Sequence, residues 1–149
     1  LYFYNYLKQP WKCQEKVRYI MDTFYGNKPD ALSGNDDCGQ MSAWYIFNTM
    51  GFYPTAPSSN VYNLGSPGLA AVDMKMSNGK HLRMTTGNWS ARNVFVKEVY
   101  LNGKKYDKSY ITYNDIKDGA DLHFVMSSRP NYKRGVAERA VPPSVSEKR

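Results

Sequence analysis

Histidine and cysteine are scarce in this chain, two of each among 149 residues. Cys13 and Cys38 cannot by themselves supply a four-ligand zinc site or a disulfide framework. His81 and His123 stand far apart in sequence on expected strands, where a single histidine is a weak signal of chemistry. Long apolar runs are also missing: no stretch approaches the roughly 18 consecutive apolar residues of a membrane span. Leu1-Tyr-Phe-Tyr-Asn5 has no initiator methionine and neither the basic nor the apolar region of a signal peptide, so a piece of a longer protein is expected. The G-x-S-x-G elbow, the H-E-x-x-H zinc helix, the phosphate-binding G-x-x-x-x-G-K-[ST] loop and a G-x-G-x-x-G turn are absent too. These absences argue against the corresponding hydrolase, metalloprotease, nucleotide and dinucleotide chemistries.

Aromatic residues, in contrast, are plentiful. Thirteen Tyr, six Phe and three Trp in a chain that is 42% hydrophobic and 22% charged mark a globular protein, not a disordered one. The net charge of +7 is unevenly placed. Residues 1–57 balance five basic against five acidic side chains, whereas 58–149 hold fifteen against eight. Lys104, Lys105 and Lys108, and later Lys133, Arg134 and Arg139, are interleaved with Asp107, Asp115, Asp118 and Asp121. That mixture reads as solvated surface, and without a nucleic-acid motif no nucleic-acid partner is expected.

Two kinds of periodicity divide the chain. Val17, Ile20, Met21 and Phe24 recur at helical spacing, Pro10 suits a first helical turn, and Gly26 stops the helix. After the turn-forming residues 26–36, Cys38–Met50 is apolar on every side, which predicts a helix buried within a larger helical assembly and ended by Gly51 and Pro54. From about residue 60, short alternating segments are expected as strands: Val61–Leu64, Ala71–Met76, His81–Thr86, Val94–Leu101 and Leu122–Met126. Asn78-Gly79 and Asn102-Gly103 are type I′ hairpin signals, so an antiparallel β unit is expected; after Pro130 the chain is polar without periodicity, and 135–149 is expected as a loosely held tail.

The chemistry concentrates in Ser33-Gly-Asn-Asp-Asp-Cys-Gly-Gln-Met-Ser-Ala-Trp-Tyr45. Asp36 and Asp37 stand in a turn just before the apolar helix, where free N–H groups and the helix dipole favour an ionised carboxylate, a better base than acid. Simple N-capping accounts for the same placement without any chemistry.

Gly34-Asn-Asp-Asp-Cys-Gly-Gln-Met-Ser-Ala-Trp-Tyr45, followed by Gly51-Phe-Tyr-Pro54, resembles the signature of the calcium-dependent α-mannosidases of glycoside hydrolase family 92. Leu1–Tyr6 with Pro10-Trp-Lys12, Val61–Pro67, Asn78-Gly79, Leu101-Asn-Gly103 and Ser128-Arg-Pro130 resemble the family's C-terminal end in the same order, over about residues 1–135. The resemblance implies an inverting, exo-acting mechanism in which Asp37 is the general base. Asn35 occupies a position where some members carry a helper Asp, so it can donate and accept hydrogen bonds but brings no charge. Asp36 completes the catalytic group, and Gly34 and Gln40 are assigned to substrate binding. Calcium is implied, with the general acid and most metal ligands expected upstream of Leu1. Glu15, Asp22, Asp107, Asp115, Asp118 and Asp121 read instead as surface or turn carboxylates.

The fold expected is α+β. Residues 1–57 are the final helices of an (α/α)6 barrel, residues 58–130 a small antiparallel, sandwich-like β unit, and residues 131–149 the tail. The expected function is part of a secreted or periplasmic, bacterial α-mannosidase that removes terminal mannose, α-1,2-linked, from N-glycans. Its expected partners are a mannose-containing glycan and either the upstream part of the same enzyme or a self-associating copy that covers the apolar helices. The competing reading is a non-catalytic carbohydrate-binding module using its 13 Tyr and 3 Trp as stacking platforms, although Trp11, Trp44 and Tyr45 sit in the expected helices and Trp89 is the one tryptophan of the β half.

Overall fold

The computed structural model describes residues 1–144, an α-helical region followed by a mixed β-sheet region. A single-turn helix α1 (Phe3–Tyr6) leads into α2 (Pro10–Phe24), which has proline in its first turn. Its inward stripe is Cys13, Val17 and Met21, while Glu15 and Asp22 lie on the exposed face as expected. The turn-forming residues are closed by a bridge between Tyr25 and Leu32. Helix α3 (Gln40–Thr49) follows.

Gly51 lies just beyond the C-cap of α3 at φ +88°, a conformation that glycine adopts without steric cost. It reverses the chain into β1 (Phe52–Tyr53), which pairs with β2 (Val61–Leu64); β7 (Tyr110–Thr112) completes a three-stranded antiparallel sheet. A second sheet is formed from β3 (Ala71–Lys75), β4 (His81–Gly87), β5 (Phe95–Leu101), β6 (Lys104–Lys105) and β8 (Ala120–Ser127), in the order β3-β4-β8-β5-β6. Helix α4 (Tyr113–Ile116) follows β7, and a capping box between Thr112 and Asp115 starts it.

The expected strands are present, but the expectation of a purely antiparallel unit is corrected. Strand β8 inserts between β4 and β5 and runs parallel to β4, with Met84 opposite Leu122 and Thr86 opposite Phe124. Alternation tells which side chains face the core and says nothing about which strands pair, because parallel and antiparallel neighbours bury the same alternate residues. A bulge between Val96 and Glu98 brings Val96 and Val99 onto one face, where both are buried. Asn102 and Gly103 both have positive φ and link β5 to β6 through a two-residue loop, the type I′ geometry expected. At the other hairpin only Gly79 is left-handed, and the Gly79 N–H to Met76 C=O bond gives a three-residue loop instead. Asp121, expected in a turn, belongs to β8.

Two further expectations give way. The α3 helix buries Trp44, Asn48 and Thr49 but leaves Tyr45 39% and Ile46 58% exposed, so an all-round apolar helix is covered here on one face only. Residues 135–144, expected to be loosely held, are anchored within that stretch: Ser109 N–H donates to Ala140 C=O, and just before it buried Arg134 donates to the Tyr106 and Lys108 carbonyls. Residues 145–149 of the expected tail lie outside the described residues.

Helices and sheets share buried polar contacts. Asn5 Nδ2 donates to Leu64 C=O at 2.9 Å and Gln14 Oε1 accepts from Val96 N–H at 3.0 Å. Gly65 lies against Val17 so closely that an added Cβ would meet its methyl carbon at 3.4 Å. The helices are thereby held in a fixed relation to the strands, and the turn before α3 projects from that platform.

Candidate active site in the turn before α3

Residues 34–40 form one surface turn. Gly34 is left-handed at φ +93°, Asn35 and Asp37 are exposed, and Asp36 is half-buried. Three residues in succession, Asp37, Cys38 and Gly39, have φ of +52°, +59° and +91°. Only the last is glycine, and a left-handed L-residue costs on the order of 1–2 kcal/mol, less for aspartate. Such a run persists where surrounding contacts over-determine it.

Those contacts come from Asp36. Its Oδ1 accepts from Ser42 N–H at 2.8 Å and from Ser42 Oγ at 3.0 Å, while its carbonyl accepts from Met41 N–H at 3.1 Å. Hydrogen bonds to an ionised acceptor contribute about 1.5–3 kcal/mol each, enough to offset the left-handed backbone. The N-cap position is taken by Gly39, not by either aspartate, and Asp36, three residues earlier, accepts from the N–H of Ser42 in the first helical turn. Among the described residues no donor meets the Asp37 carboxylate. Of the two adjacent carboxylates, Asp36 is half-buried and Asp37 is exposed.

Aromatic rings fix the start of α3. Tyr25 stacks on Trp44 and Tyr45 with centroids 5.5 and 4.9 Å apart and donates its hydroxyl to Met41 C=O at 3.2 Å. Burial, and then the negative charge of Asp36, push the Tyr25 phenol above its ordinary value. Gln40 Nε2 donates to Tyr53 Oη at 3.3 Å, and Tyr53 stacks on Tyr2 at 5.4 Å. The contributions of Ser42, Tyr25 and Tyr53 were not foreseen.

Several other carboxylates are engaged elsewhere. Asp73 pairs with His81 and Arg83, Glu98 with Tyr100 and Lys105, and Asp115 caps α4. Among the described residues, no three His, Cys, Asp or Glu side chains come close enough to share a metal ion. Cys13 and Cys38 are both free thiols, the first buried and the second exposed in the turn.

The model of the glycosyl hydrolase family 92 catalytic domain matches residues 1–128. The chain belongs to that family. Its backbone superimposes with a TM-score of 0.95 on a family 92 α-mannosidase of Bacteroides thetaiotaomicron solved with mannoimidazole; the two are 68% identical over 97% of this chain and 19% of that one. A family 92 inverting mannosidase from Bacteroides thetaiotaomicron VPI-5482 is 36% identical, with a TM-score of 0.91, over 98% of this chain and 20% of its own. An uncharacterized secreted glycosidase of the fungus Arthroderma benhamiae is 26% identical over 97% of this chain and 19% of its own length. This family 92 chain thus spans about a fifth of the relatives it matches. No helix among the described residues is long and apolar enough to cross a membrane.

Proposed function

We propose that this chain is part of an inverting, exo-acting α-mannosidase that releases terminal mannose, α-1,2-linked, from N-glycans, and that Asp37 is its general base. The observation that carries the reading is the contrast between two adjacent carboxylates: Asp36 is committed to Ser42, whereas Asp37 is exposed and free of partners among the described residues. A base must be ionised and within reach of water.

In the proposed step, Asp37 takes a proton from water as the water oxygen bonds to the anomeric carbon. The glycosidic bond on the opposite face breaks as a carboxylic acid, contributed by another part of the enzyme, protonates the leaving oxygen. Asn35 would hydrogen-bond the water or a sugar hydroxyl, while Gly34 and Gln40 flank the sugar. Inverting hydrolysis requires the two carboxyl groups roughly 6.5–9.5 Å apart. Family membership points to calcium, an oxygen-coordinated ion that takes 6–8 ligands. The described residues do not fit a complete site for it, since they assemble no such cluster, and no step above passes through the ion. The secreted glycosidase among the relatives supports a secreted or periplasmic enzyme.

The rival reading as a carbohydrate-binding module draws little support. Trp44 is 8% exposed and Trp11 packs edge-on against Tyr132, which leaves Trp89, 45% exposed, as the one tryptophan platform among the described residues. Kinetics of Asp37→Asn and Asp36→Asn in the complete enzyme test the assignment. Asp37→Asn should lower kcat by about 10²–10⁴-fold, the range for loss of general-base help. The reverse order of severity would contradict it.

A further inference from the structure

The left-handed turn carries its own brace. We propose that Asp36 and Ser42 are positioning residues that hold the Asp37 carboxylate at the reacting water, an inference that rests on reading Asp37 as the base. Asp36 precedes the three left-handed residues Asp37, Cys38 and Gly39, and Ser42 follows them. The Oδ1 of Asp36 reaches across to Ser42 N–H at 2.8 Å and Ser42 Oγ at 3.0 Å. Main-chain bonds tighten the same ring, from Met41 N–H to Asp36 C=O at 3.1 Å and from Gln40 N–H to Asp37 C=O at 3.3 Å. Left-handed L-residues relax to right-handed or extended backbone when nothing holds them, and either change would swing the Asp37 side chain away. Placement of a reacting group is steep in its effect: a displacement of about 1 Å can cost on the order of 10²-fold in rate.

The brace asks something different of Asp36 than catalysis asks of Asp37. Both side-chain bonds end on one oxygen, an acceptor that the amide oxygen of asparagine also provides. A base, in contrast, must be a carboxylate. Asp36→Ala and Asp36→Asn should therefore part company.

The test uses the complete enzyme and an α-mannobiose that the wild type cleaves. Asp36→Ala should lose about 10–100-fold in kcat with KM within about threefold. Asp36→Asn should lose at least about threefold less than Asp36→Ala because the amide oxygen can still accept both hydrogen bonds. Ser42→Ala keeps the N–H donor and loses the hydroxyl, so kcat should fall by about 2–10-fold at unchanged KM. A fully active Asp36→Ala beside an inactive Asp37→Asn would overturn the brace alone. Equal damage from Asp36→Ala and Asp36→Asn would also overturn it, by showing that charge and not geometry is at stake. An active Asp37→Asn would overturn the base reading and this proposal with it. If Asp36→Ala does not fold, Ser42→Ala decides, and an unchanged kcat there overturns the proposal.

Discussion

Replacing Gly51 by alanine probes the joint through which α3 is anchored to the sheet. At φ +88° an added Cβ would lie 2.9 Å from Phe124 Cζ, 3.1 Å from its Cε2 and 3.3 Å from Pro67 Cβ. Phe124 is fully buried in β8 between two hydrogen-bonded neighbours, so its ring cannot swing into solvent. The substitution combines two penalties: about 1–2 kcal/mol for a left-handed L-residue and about 1–3 kcal/mol for forcing extra volume into a packed core. Gly103→Ala supplies the control, since Gly103 has φ +76° and nothing within 4 Å of an added Cβ. It should show the backbone penalty alone. Urea denaturation of the two variants, compared through their midpoints at equal slope, should place Gly51→Ala about 1–3 kcal/mol below Gly103→Ala, the overpacking difference. Equal midpoints would mean that Phe124 does not brace the end of α3, and the account of how the helix is held would fail.

Other expectations follow from burial and charge. Burial pushes the Cys13 thiol up to about 12, while Cys38 is exposed, so a thiol reagent at pH 8 should label one cysteine in the folded chain and two in denaturant; rapid double labelling of the folded chain would contradict this. The isolated chain should associate through the outward side chains Phe3, 69% exposed, and Ile46, 58% exposed. Ile46→Lys should reduce that association in light scattering. His81, and then Arg83, hold the exposed Asp73 carboxyl below its ordinary value. Its contribution is thus present above the ordinary carboxylate range and is lost as pH falls through the lowered folded value. NMR titration of His81→Gln should show the Asp73 midpoint rise. Alone, this chain should release no measurable mannose, because general-acid help worth about 10²–10⁴-fold would be missing.

The legibility of this chain differed by feature. Periodicity located α2, α3 and the main strands, because the apolar stripe of a helix and the alternation of a strand depend only on which side faces a core. It could not show that β8 lies between β4 and β5, since pairing order is a property of the whole chain. β6, β7, α1 and α4 escaped because two to four residues carry too little pattern. The tail escaped because its anchors, buried Arg134 and the Ala140 carbonyl, bond to distant backbone. At the site, the motif identified the turn, but the capping expected of its aspartates gives way to Gly39 at the N-cap and a side-chain bond between Asp36 alone and the first helical turn. The unequal use of the two carboxylates was not legible, because it follows from left-handed backbone at Asp37 and Cys38 that residue type does not announce.

The central claim is that Asp37 activates water, and replacing both the base and its nucleophile tests it most directly. In the complete enzyme, Asp37→Ala removes the base, and azide, an anionic nucleophile that needs no deprotonation, can take the place of water. The account predicts that Asp37→Ala is nearly inactive in buffer and that azide restores turnover, with β-mannosyl azide as the product seen by proton NMR. A variant that turns over normally without azide, or an azide-rescued product of α configuration, would contradict it.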